Sequence, residues 1–149
     1  MTGTGKTLRT SFGLKGIVQH QLDQSYHSPL IDKVRNAGFS LKVGRLEIHL
    51  AKEFGFCYGV ERAVEFAYET RARFPDRRIF LTNEIIHNPR VNAELQGMGV
   101  KILTDNASRE EITEKDVVIM PAFGVPVEAL REFQKKGCVI VDTTCGSVM

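Results

Sequence analysis

Four short runs, Ile79 to Leu81, Val100 to Leu103, Val117 to Met120 and Val139 to Val141, apolar except for Lys101, recur through the second half of the chain. A stretch with helical spacing separates each from the next, and this constrains the fold more than any other feature. Runs rich in β-branched residues and free of polar alternation suit strands covered on both faces. Strand, helix, strand repeated with short connections predicts a parallel sheet with helices packed on it. A fifth strand is predicted from Leu46 to about Ala51, where Leu46, Ile48 and Leu50 alternate with Glu47 and His49. The expected fold class is α/β, with a parallel sheet of about five strands flanked by helices.

The helices follow from spacing and punctuation. Between Tyr58 and Arg73, Val60, Ala63, Val64 and Ala67 form a stripe for burial, leaving Glu61, Arg62, Glu65 and Glu69 to face water. Asn88-Pro89 opens a helix with Val91 and Leu95 inside, ended by Gly97, and a capped helical turn is expected from Asn106 to Ile112. Pro126 starts another helix, with Val127, Leu130 and Phe133 buried, Lys135 and Lys136 at its negative end, and Gly137 stopping it. Upstream, residues 8–27 show no sustained periodicity. Ser28-Pro29 then begins a short helix whose apolar face is Leu30, Ile31, Val34 and Ala37, stopped by Gly38. A short strand over 39–43 turns at Gly44. The chain thus divides into an N-terminal extension with one short helix, residues 1–46, and an α/β lobe, residues 47–149.

Charge and composition exclude several classes. The extension to Leu46 holds 7 Lys and Arg against 2 Asp and Glu, and the remainder 13 against 16. So mild a basic block, with no interleaved aromatic platform, is solvated surface and not a nucleic-acid interface. No apolar run approaches the roughly 18 residues that span a bilayer, so no membrane partner is expected. The N-terminus has no signal-peptide core, which predicts a cytoplasmic protein. Lys6, Arg9 and Lys15 without an acid before residue 23 keep a plastid address as the alternative. Gly3-Thr4-Gly5-Lys6-Thr7 resembles a phosphate loop but lacks the earlier glycine and the preceding strand that such a loop needs.

The three cysteines must be taken one by one. Cys57, in Gly55-Phe56-Cys57-Tyr58-Gly59, sits at a helix N-terminus, where unpaired amides and the helix dipole favour negative charge and hence a thiolate. The plain alternative is a small hydrophobe packed against Phe54 and Phe56. A phosphatase-type thiol needs an arginine six residues on, whereas Arg62 is five on and lies on the polar face. Cys145 follows the last strand at its carboxyl end, where open α/β sheets bind ligands. Cys138 lies at the other end of that strand, on the order of 15–20 Å away at about 3.3 Å per residue, and reads as structural. His87, in Asn83-Glu84-Ile85-Ile86-His87-Asn88-Pro89, occupies the same kind of post-strand position as Cys145. Beside helix N-terminal amides its imidazole suits a phosphate oxygen, against the alternative of a solvated loop histidine. His49, on the polar side of its strand, reads as exposed. Two cysteines and one histidine fall one ligand short of a structural zinc site or an iron–sulfur cluster. A thiol-redox pair of Cys57 and Cys145 remains a further reading, though no close Cys-x-x-Cys pair supports it.

At these residues the sequence resembles the LytB-type 4-hydroxy-3-methylbut-2-enyl diphosphate reductase family of the non-mevalonate isoprenoid pathway. The resemblance is carried by Gly55 to Ala63, Glu84 to Pro89, Pro121 to Val125 and Asp142 to Cys145, in that order, within a likeness running from about Tyr26 to Met149. It implies the first lobe of a three-lobed iron–sulfur reductase built around a central [4Fe-4S] cluster held by three thiolates. One iron is left to take the substrate hydroxyl, which two electrons and protons remove as water. By position, Cys57 and Cys145 match two cluster ligands and His87 matches a histidine near the substrate diphosphate. The expected partners are that diphosphate and an electron donor such as ferredoxin or flavodoxin.

Two departures follow. Phe123 stands where many relatives carry a histidine that contacts substrate, although the branch with an upstream extension shares the phenylalanine. The third cysteine, the acidic proton-delivery residue and most diphosphate contacts are expected beyond residue 149, with the later lobes. The expectation is a truncated reductase, inactive alone, with a non-catalytic diphosphate- or partner-binding fragment as the alternative.

Overall fold

In the computed structural model, residues 5–103 and 106–148 are described. Gly3 and Thr4 of the rejected phosphate-loop lookalike, and Met149, lie outside them. The chain runs β1 (Thr7–Leu8), α1 (Lys15–Tyr26), α2 (Pro29–Asn36), β2 (Ser40–Val43), β3 (Leu46–His49), α3 (Tyr58–Arg73), β4 (Ile79–Leu81), α4 (Pro89–Gly97), β5 (Val100–Ile102), α5 (Asn106–Glu110), β6 (Val117–Met120), α6 (Val127–Lys136) and β7 (Val139–Asp142).

Five strands form one parallel sheet in the order β1-β7-β6-β4-β5. The four apolar runs read from sequence all lie in it, and their alternate side chains feed two cores. Ile79, Leu81, Val117, Ile119 and Val141 face Ala63, Val64, Phe66, Ala67, Val91 and Leu95 of α3 and α4, with Val18 of α1 joining them. Phe80, Val118, Met120 and Ile140 face the other way, onto Phe133 of α6, Ile112 and Cys138. Burial on both faces is why β4 and β6 are apolar throughout, whereas the edge strand β5 turns Lys101 to solvent.

The predicted fifth strand does not join this sheet. Leu46–His49 instead pairs antiparallel with Ser40–Val43, Leu41 opposite Ile48 and Val43 opposite Leu46. The alternation that suggested a half-buried strand is met by this hairpin, which leaves Leu46 68% and Ile48 47% exposed. The sheet reaches five strands through β1, whose Thr7 and Leu8 pair with Ile140 and Val141 of β7. Two residues are too few to register as a periodic pattern.

Residues 8–27 also hold a helix that their spacing concealed. The extension therefore has two helices, α1 and α2, and not one. α1 lies on α3, and this overturns the prediction that Glu69 faces water. Glu69 is fully buried and accepts from the amides of Phe12 and Leu14 at 2.8 and 2.9 Å and from the Ser11 hydroxyl. Phe12 packs at a tilt on Phe66 and edge-on against Phe74, with ring centroids 5.1 and 5.8 Å apart. Three apolar predictions also fail, since Leu30 of α2, Ala37 just past its end and Val127 of α6 are exposed. Leu30 and Val127 each lie on the first turn of a helix that is buried only further along, at Val34 and Phe133. Among the described residues no helix is long and apolar enough to cross a membrane.

Candidate functional site

The chain passes from β4 outward to β5, then returns across β4 to β6. Strand order therefore reverses between β4 and β6, and ligand crevices in open α/β sheets form outside the carboxyl ends of strands at such a point. Here the loops after β4, β6 and β7 are joined by backbone hydrogen bonds. The Ala122 amide donates to the Ile85 carbonyl at 3.2 Å, and the Cys145 amide donates to the Ala122 carbonyl at 2.8 Å. Thr143, fully buried, donates from its amide and its hydroxyl to the Met120 carbonyl. Three of the motif segments thus share one rim.

His87 and Phe123 meet across the point of reversal. Their rings stack with centroids 4.9 Å apart and planes 13° from parallel. His87 Nδ1 lies 3.0 Å from the Glu84 carboxylate, and the imidazole is otherwise 77% exposed. The loop carrying it is braced from beneath. Buried Asn92 accepts from the Ile85 amide at 3.1 Å and donates to the Ile86 carbonyl at 2.9 Å. Asn88 caps α4, its side chain accepting from the Arg90 and Val91 amides, as its place before Pro89 predicts.

Cys57 is the N-cap residue of α3 and is exposed. It follows the hairpin and not a strand of the parallel sheet, so its place on the rim is set by α3. Cys145 is half-buried, and its sulfur lies against α3. A methyl group on Gly59 would stand 2.4 Å from Cys145 Sγ, so the absence of a side chain at Gly59 is what admits the sulfur. Gly124, at φ +76°, likewise abuts Thr144, whose methyl would lie 3.3 Å from an added Cβ. Gly59 is two residues beyond Cys57 and in the first turn of the helix that Cys57 caps, which sets both cysteines on the α3–β7 side of the rim.

Cys138 stands apart. It is fully buried, its thiol donates to the Phe133 carbonyl, and burial pushes it up to about 11. His49 is exposed, as expected.

Sequence reasoning missed the group that closes the Cys145 side. Arg9, just beyond β1, lies with its Nε 2.9 Å from Asp142 Oδ2, and the other oxygen of Asp142 accepts from the Thr144 amide and hydroxyl. Arg9, Arg62, Asp142, Thr144 and Cys145 help line a cavity of about 280 Å³. No local signal announces the Arg9–Asp142 pair, because 133 positions separate its members. Glu84, three residues before His87, was within reach of sequence reasoning.

The donor chemistry at this rim suits a soft metal centre, since thiolates favour iron–sulfur clusters. The set is partial, because among the described residues no three His, Cys, Asp or Glu side chains converge to hold a metal ion.

The chain is similar to known proteins over most of its length. The family model described as LytB protein matches residues 48–149. A 4-hydroxy-3-methylbut-2-enyl diphosphate reductase from Gloeobacter violaceus is 46% identical over 144 residues, covering 92% of this chain and 34% of the relative. One from Prochlorococcus marinus is 50% identical over 127 residues, covering 83% and 32%. A solved (E)-4-hydroxy-3-methyl-but-2-enyl diphosphate reductase, the terminal enzyme of the non-mevalonate pathway, superposes with a TM-score of 0.54 at 35% identity, over 64% of this chain and 32% of that one. The corresponding reductase from Plasmodium falciparum gives 0.56 at 26% identity, over 64% and 29%. The chain spans about a third of the length of the relatives it matches. With the family model covering more than half of its residues, the chain belongs to the LytB protein family.

Proposed function

We propose that this chain forms part of a [4Fe-4S] reductase that converts 4-hydroxy-3-methylbut-2-enyl diphosphate to isopentenyl and dimethylallyl diphosphates, with Cys57 and Cys145 as cluster ligands and His87 as a diphosphate contact. The observation that carries the reading is Cys145 Sγ lodged against side-chain-free Gly59, in the first turn of the helix that Cys57 caps. When bound, such a cluster supplies electrons and a Lewis-acidic iron. The chain's own groups hold and orient. Glu84 accepts from Nδ1–H of His87, which turns Nε2 outward. With its proton on Nδ1, the neutral ring offers only a lone pair at Nε2, so His87 donates to a phosphate oxygen as imidazolium. The capped N-terminus of α4 adds its dipole on the same side.

Residues 1–149 offer two thiolates, so a third ligand comes from outside them, and these residues alone hold a labile cluster without turning over substrate. An electron donor of the ferredoxin or flavodoxin kind completes the reaction.

The test is anaerobic reconstitution of residues 1–149 with ferrous iron and sulfide, followed by iron and sulfide analysis. Bound iron and sulfide that disappear in Cys57→Ser and Cys145→Ser, but persist in Cys138→Ser, support the proposal. Equal iron in all four proteins, or none in any, overturns it. A stable cluster with reductase activity from residues 1–149 overturns the claim that these residues do not work alone.

A further inference from the structure

We infer that Arg9 of the N-terminal extension is a positioning residue for the cysteine rim, a clamp that fixes the Cys145 loop against the helix bearing Cys57. The family model starts at Ile48, so it assigns nothing to this residue. The two-residue strand β1 runs parallel to β7 and delivers Arg9 to the carboxyl end of β7, where Asp142 ends that strand. The Arg9 side chain then takes one oxygen of Asp142, whose other oxygen holds the Thr144 amide and hydroxyl. The Arg9 carbonyl meanwhile accepts from the Arg62 guanidinium of α3, five residues beyond Cys57. One residue is therefore bonded at its side chain to the Cys145 segment and at its backbone to the Cys57 helix.

The asymmetry of burial makes the link directional. The Asp142 side chain is 6% exposed and that of Arg9 58%. A nearly buried carboxylate needs a cationic partner to remain in place, whereas the partly solvated arginine can be lost without opening a cavity. Removing Arg9 leaves Asp142 free to turn, and the Thr144 amide and hydroxyl lose their fixed acceptor. Cys145 is the next residue, and its amide donates to the Ala122 carbonyl. The cost falls on the loop and not on the two cores, to which Arg9 does not belong.

The test compares the chain with Arg9→Ala and Arg9→Lys by amide hydrogen exchange, thermal unfolding and the lifetime of a reconstituted cluster in air. With one charge-assisted hydrogen bond lost, exchange at residues 143–146 should rise about tenfold in Arg9→Ala. Peptides from β4 and β6 should be unchanged and the melting temperature close to that of the parent. Cluster lifetime should fall by a similar factor, with Arg9→Lys recovering part of both losses. Unchanged exchange at 143–146 overturns the clamp, as does a rise spread evenly over the chain, which would mark a general role in folding. The cluster-lifetime arm rests on the proposed function and the exchange arm does not. If the parent chain holds no cluster, the proposed function fails while the exchange result still decides the clamp.

Discussion

Glu69 ties the N-terminal extension to the lobe, and its replacement has a calculable cost. The carboxylate is fully buried between α3 and the turn leading into α1. It accepts from the Phe12 amide at 2.8 Å, the Leu14 amide at 2.9 Å and the Ser11 hydroxyl. α1 has no side-chain cap of its own, so this contact across 55 to 58 positions does the anchoring. Hydrogen bonds to a charged group contribute about 1.5–3 kcal/mol each. Ser11 is exposed and exchanges its bond for water, which leaves the two amides as the main loss. Relief of the carboxylate's desolvation offsets part of it. Glu69→Ala should therefore cost about 2–4 kcal/mol, roughly a 5–15 °C fall in melting temperature for a chain of this size. Glu69→Gln keeps the shape and one acceptor but turns an NH₂ toward a donor, so it should cost nearly as much. Urea unfolding followed by circular dichroism reads the stability, and amide exchange over Lys15–Tyr26 reads the anchoring. Both variants within about 0.5 kcal/mol of the parent, the range of ordinary surface changes, would refute the reasoning. So would an unchanged exchange rate in α1.

Three further expectations rest on other parts of the molecule. Cys57, being exposed, should react first with a thiol reagent in the folded chain, whereas Cys138, buried and raised to about 11, should react only after unfolding; mass spectrometry of the labelled peptides gives the order. Burial alone would raise Asp116, but hydrogen bonds from Arg78 and Thr113 outweigh it and hold the carboxyl below the ordinary 3.8. Its stabilisation is therefore complete above pH 4 and lost as pH falls through the lower folded value, so urea midpoints of the parent and Asp116→Asn should differ at pH 7 and converge in acid. Gly59→Ala forces a methyl to 2.4 Å from Cys145 Sγ, which should cost about 1–3 kcal/mol by overpacking and lower iron retention on reconstitution, measured beside Gly97→Ala, where nothing lies within 4 Å.

The core of the fold was legible because its signal is local. The runs at 79–81, 117–120 and 139–141 are covered on both faces, and a strand so placed must be apolar without a break, whereas the edge run at 100–102 leaves Lys101 exposed. Leu46, Ile48 and Leu50 fail as a guide for the opposite reason. Alternation says only that one face is apolar and not that it is buried, and here that face pairs with Leu41 and Val43 in a hairpin that leaves Leu46 and Ile48 exposed. Glu69 misled in the same way, since helical spacing places it beside Glu61, Arg62 and Glu65 but cannot say that α1 will cover that flank. The strand count agreed only because β1 filled the place that β3 left.

The site divides along the same line. His87 and Cys145 could be placed on one rim from sequence because each follows a strand whose direction the repeating pattern fixes, and parallel strands send their exits to one edge. Cys57 reaches that rim by a different route, through the crossover helix whose N-terminus must start where parallel strands end. The groups that hold these residues still are another matter. Asn92 under the His87 loop, Gly59 under the Cys145 sulfur and Arg9 on Asp142 act across 6 to 133 positions, and no periodicity encodes such a meeting. A chain can therefore announce which residues carry its chemistry while leaving unsaid what positions them, because reactive groups sit at element ends that pattern defines, whereas their supports are chosen by packing.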